Sequence, residues 1–143
     1  MAIANLHETL LNYKLRRNAI NLEISQLQSQ KTLATYSQSD RQAIKAKDEE
    51  GVRQYFRALY EGDEDYQLQY KDYTEIPDFE EEMDKIAAKY TDELAELTAW
   101  ETALDAQITT DSAELEEINA YMESLKSMLS SNIQEDFNYG LNQ

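Results

Sequence analysis

One proline and three glycines in 143 residues leave this chain few places to reverse direction. These two residues punctuate turns more strongly than any others, so their scarcity predicts few, long elements. The rest of the text is rich in Ala, Leu, Glu, Gln, Lys and Asp, residues that form helices or solvate their surfaces. The spacing of apolar positions then decides how such helices pair.

In the first segment apolar residues alternate at steps of three and four: Ile3, Leu6, Leu10, Tyr13, then Ile20, Ile24, Leu27 and Ala34, with Arg17 as a polar interruption. That is a heptad seam, the pattern by which two helices pack along their length. Leu11, Leu15 and Leu22 lie outside it and widen the stripe. Asn5 with Glu8 reads as a capping box at the start. The last segment carries a longer seam through Met83, Ile86, Tyr90, Leu94, Leu97, Leu104, Ile108, Leu115, Ile118, Met122, Leu125, Leu129 and Ile133, with Glu101 and Asp111 as acidic members. Its 86–90–94 step is a stutter, which locally unwinds paired helices.

Between the two segments lies Glu61-Gly62-Asp63, where Gly62 suits a left-handed helix stop. A Tyr-rich, acidic stretch follows, and Ile76 before the single proline is biased away from helix. Pro77 suits the first turn of a new helix, with Asp78, Glu80, Glu81 and Glu82 at its positive end. The spacing therefore predicts a helical arm over about 3–60, a connection over about 61–77, a second arm over about 78–136 and a short tail, 137–143. One all-α, elongated, antiparallel coiled-coil hairpin accounts for the near-equal arms. Two polar stretches leave alternatives open. Thr35–Asp40 permits a break near 37–40 and a three-helix arrangement, and Thr109–Ser112 permits a second start.

The net charge of −16 is unevenly distributed. Residues 1–60 hold 9 Lys/Arg against 6 acids, and residues 61–143 hold 4 against 23. Opposite charges along the two arms favour antiparallel pairing, although each exposed pair is worth only about 0–1 kcal/mol. An acidic surface argues against nucleic acid as a partner. No apolar run approaches the roughly 20 residues of a membrane span, so membrane insertion is not expected. The N-terminus shows no secretory signal, which makes the cytoplasm the expected compartment, with leaderless export left open.

Chemistry-bearing constellations are sparse. His7 is the single histidine, so neither a zinc pair nor a Ser/His/Asp set is completed. Asp63-Glu-Asp65 opens like a calcium loop, but Leu68 and Thr74 stand where glycine and glutamate belong. No catalytic, cofactor or metal site is expected, and the chain is not read as an enzyme. The expected seam is Leu6, Leu10, Ile20, Ile24, Leu27, Leu104, Ile108, Leu115, Ile118, Leu125 and Leu129. Candidate partner contacts are Leu11, Leu15, Leu22, Tyr66, Tyr70, Tyr73, Trp100, Phe137 and Tyr139. Tyr66, Tyr70 and Tyr73 fit one helical face, either packed against a neighbouring helix or presented as a contact tip.

The expected role is a structural or assembly protein that acts through protein contacts and forms a homo-oligomer. In layout the chain also resembles leaderless secreted filament or needle subunits: paired terminal helices, a variable middle and no cysteine. An acidic nucleic-acid mimic that occupies a basic partner's site is a third reading.

Overall fold

The computed structural model describes residues 2–141, without the side chains of Tyr139 and Leu141. Among the described residues there is no strand: α1 spans Ile3–Gly62, α2 Glu64–Gln69, a single 3₁₀ turn Tyr73–Glu75, and α3 Pro77–Leu141. α1 packs against α3 as an all-α helical hairpin. Its direction is fixed by facing pairs whose numbers rise on α1 and fall on α3. Tyr13 faces Tyr121 (ring centroids 5.7 Å apart), Arg16 meets Glu114 at 2.8 Å, and Gln107 donates to Glu23 at 3.4 Å. Nearer the connection, Gln38 meets Thr98 at 3.5 Å and the Phe56 and Phe79 rings lie 5.6 Å apart.

The hairpin divides into two compact units, one of residues 1–30 with 104–143 and the other of residues 31–103. In the first, Leu10, Ile20, Ile118 and Met122 are buried, with Tyr13, Ile24, Leu115, Leu125 and Leu129 packed on them. Leu6, Leu27 and Leu104 are buried in the same unit, and Ile108 is half-buried. Every expected seam residue is thus wholly or partly withdrawn from water. In the second unit Ala34, Phe56, Ile76 and Tyr90 are buried. Burying one such aliphatic or aromatic side chain contributes about 1.5–3 kcal/mol.

Several local expectations are corrected. Asn5 does not cap α1, which begins at Ile3; its carbonyl instead accepts from the Thr9 hydroxyl at 2.8 Å. Gly62 ends α1 without a left-handed conformation, since no glycine has positive φ. Neither polar stretch breaks its helix. Thr109 and Thr110 donate back to the carbonyls of Asp105 and Ala106 at 2.9 and 3.0 Å. These hydroxyls are satisfied inside the helix, so they do not compete with it. Across 35–40, Ala34 is buried and Ser37 and Gln38 are half-buried, so the seam supports the backbone through the polar text. At the stutter Glu93 and Leu94 are both half-buried, two consecutive residues sharing one inward position. The expected tail continues α3 to Leu141. Ile133, placed in the seam by spacing, is 52% exposed, because α1 offers no described residue opposite it.

Candidate interaction surfaces

The connection is held by side chains rather than by a glycine. Gln67 donates its amide to the carbonyls of Tyr60 and Glu61 at 3.1 and 3.2 Å, which caps the end of α1. Asp63, in extended conformation, accepts from the Asp65 amide at 2.9 Å and starts α2. The Tyr60 hydroxyl lies 3.1 and 3.0 Å from the carbonyls of Tyr70 and Lys71, donating to one at a time. Glu75 accepts from the Lys71 amide at 3.0 Å. Ile76 then turns extended (φ −61°, ψ 127°) ahead of Pro77, as the residue before proline is biased to do.

The three tyrosines do not share one face. α2 stops at Gln69 and the backbone is extended at Tyr70, so Tyr66 and Tyr70 pair with each other at 6.1 Å. Tyr73 belongs to a second aromatic group, edge-on to Phe79 at 5.5 Å and beneath the Arg57 guanidinium at 5.2 Å. All three are half-buried. Beside them runs an open groove of about 960 Å³ with Val52, Tyr55, Phe56, Leu59, Tyr66, Ile76 and Ile86 among its lining. Lys47, Asp48, Asp78, Glu81, Glu82, Lys85 and Lys89 form the charged part of the same lining, and Gly51 leaves one stretch of wall without a side chain. Leu68, on the other side of α2, is 87% exposed.

Comparison with protein-family models, curated proteins and solved structures finds no match. The surfaces of the molecule therefore carry the functional argument.

In the first unit, Leu11, Leu15 and Leu22 are 50%, 60% and 62% exposed. At about 100° per residue they fall within an arc of roughly 40° on α1, on the side away from the seam, so they form a separate strip and do not widen the seam as expected. Tyr121 and Met128 on α3 are also exposed, and neither was singled out from sequence because a lone apolar residue beside a seam gives no periodic signal. Phe137 is exposed; the Tyr139 side chain lies outside the described residues. In the second unit Trp100, 37% exposed, lies with Arg41, Glu93, Glu96 and Leu97 around a shallow depression.

Polar groups interrupt the seam where the spacing places them. Arg17 and Glu101 are half-buried. Asp111 is buried, and its Oδ2 has no hydrogen-bond partner. Glu93 Oε2 is likewise buried without a hydrogen bond, 3.7 Å from Arg41 Nε. Among the described residues no three His, Asp or Glu side chains gather as a metal site requires. His7 is exposed.

One buried polar contact was not legible from spacing at all. The Tyr90 hydroxyl donates to Asp48 Oδ2 at 2.6 Å, across 42 residues. That bond, then burial, then the Asp48 charge hold the Tyr90 hydroxyl above its ordinary titration range, against a smaller opposing pull from Arg41. Tyr121 is raised likewise, first by donating to Glu117. A raised tyrosine pKa contributes stability present below the unfolded value near 10 and lost as pH climbs through the folded value. In an alkaline titration followed by tyrosinate absorbance, a late-ionising component is expected. Tyr90→Phe removes part of that component, and an unchanged late component would contradict the assignment.

Proposed function

We propose that this chain is a structural or assembly protein, a coiled-coil hairpin that acts through protein–protein contacts and self-associates. The observation that carries the reading is the arc of Leu11, Leu15 and Leu22, exposed on the helix face opposite the seam. Those side chains add nothing to the hairpin's own core, and clustered exposed apolar residues mark interaction surfaces. Burial at heptad positions of both long helices supports the coiled-coil part of the reading. No helix among the described residues is long and apolar enough to cross a membrane.

Sedimentation equilibrium of the purified protein tests the proposal. The expected result is a mass above that of the 16.6 kDa chain, rising with concentration. Replacing all three leucines by serine lowers that mass while the helical circular dichroism stays near wild type. A strict monomer at high micromolar concentration, or a triple variant that assembles normally, overturns it.

A further inference from the structure

The exposed strip on α1 has the spacing of a second seam. Leu11, Leu15 and Leu22 are joined on the same face by Asn18, three residues after Leu15 and four before Leu22. Steps of four, three and four are those of a heptad pair, so the surface that suits this strip is another helix of the same spacing. Asn18 is exposed, and among the described residues its amide has no hydrogen-bond partner. Six positions flank the strip: His7, Asn12, Lys14, Ala19, Asn21 and Gln26. Only Lys14 among them carries a full charge, and none is acidic. The rest of the unit differs. Residues 1–30 hold three Lys/Arg against two acids, whereas residues 104–143 hold one against eight. A second copy that meets this chain through the strip keeps each acidic α3 segment on the far side of its own α1, where their repulsion is least.

We propose that the strip pairs with its own copy in a parallel, in-register dimer, and that Asn18 selects this orientation. What faces the amide once water is excluded decides the matter. In a parallel pair like positions meet, so Asn18 lies against Asn18 of the second copy. An amide both donates and accepts, so the two satisfy one another. An antiparallel pair brings the two alternating seam positions together instead. Its best overlap sets Leu11 against Leu22 and leaves both Asn18 side chains against Leu15. A shifted register puts Asn18 against Glu8, but it withdraws that charge from water and leaves Leu22 facing only Ala4. Against the parallel arrangement stands Glu8, which meets its counterpart at the end of the strip, near the start of α1 at Ile3. An exposed like-charge pair weakens association about 2-fold. A buried amide without a partner weakens it about 5- to 150-fold. The amide outweighs the glutamate. Such a contact is isologous and closes as a dimer. The inference rests on the self-association proposed above and gives that surface its orientation.

The chain has no cysteine, so introduced thiols report which positions meet. Equal amounts of the Leu11→Cys and Leu22→Cys proteins are mixed and equilibrated in a glutathione redox buffer, and the linked peptides are identified by mass. The two positions lie about 16 Å apart along the helix, too far for one to stand in for the other. Matched disulfides, position 11 with 11 and 22 with 22, are expected, with little mixed product. A predominant mixed disulfide overturns the parallel orientation and leaves self-association standing. No disulfide at all, with a wild type that assembles, places the contact elsewhere and overturns the inference. Adding Asn18→Leu to both proteins tests the amide. It is expected to tighten association about 10-fold and to let the mixed disulfide form beside the matched ones. Products that stay matched, or association that weakens, overturn the role of Asn18. A wild type that remains monomeric at high micromolar concentration removes the orientation and the self-association together.

Discussion

Replacing Asp111 by leucine raises the thermal unfolding midpoint of this protein, by about 5–15 °C on the usual scaling of midpoint with stability. Asp111 is only 8% exposed, and its Oδ2 has no hydrogen-bond partner. A buried acceptor left unmade costs about 1–3 kcal/mol, more when charged. Leucine removes that cost and adds apolar contact at a position the heptad already faces inward, for a net gain of about 2–4 kcal/mol. Asparagine, which keeps a polar group in the same place, is expected to recover only part of this. A drop in midpoint for the leucine variant, measured by circular dichroism, would show that the carboxylate is satisfied in solution. A single polar seam residue penalises registers that would bury it more deeply, which helps select one pairing.

A matched pair two residues apart separates core from surface on one helix. Ile20 is fully buried and belongs to the central cluster of its unit; Leu22 is 62% exposed. Ile20→Ala is expected to cost about 2–5 kcal/mol, because it removes buried methyl groups and leaves a cavity that neighbours fill only partly. Leu22→Ala changes the stability of the isolated hairpin by no more than about 0.5 kcal/mol. Chemical denaturation at low protein concentration reads both. Equal losses at the two positions would mean that Leu22 is covered within the chain itself.

The hairpin was legible because heptad spacing and the scarcity of turn residues act over tens of residues. The arms expected at 3–60 and 78–136 lie within α1 and α3, and Pro77 opens α3 as its chemistry requires. What escaped depends on contacts made only once the chain is folded. Gln67 reaches back to the Tyr60 carbonyl and so does the work assigned to Gly62. Thr109 and Thr110 satisfy themselves one turn back, which turned an apparent helix start into helix interior. α2 is six residues long, too short for any periodic signal, so Leu68 could not be told from an ordinary connection residue. Of the candidate contacts, the Leu11, Leu15 and Leu22 arc was visible because it repeats at helical spacing; the groove beside Gly51 needed three elements to be brought together.

The hydrogen-bonded hinge also sets an order of cost along the chain. Arg57 and Tyr73, which meet beside it, are 16 residues apart, whereas Arg16 and Glu114 are 98 apart. Closing the wider span directly from an open chain costs about 1.6 kcal/mol more in loop entropy than closing the narrow one. Once the narrow span is closed, each further pair toward the chain ends adds only a short increment. Side chains that fasten Tyr60, Gln67 and Tyr70 therefore lower the cost of every pairing beyond them, including pairs they never touch.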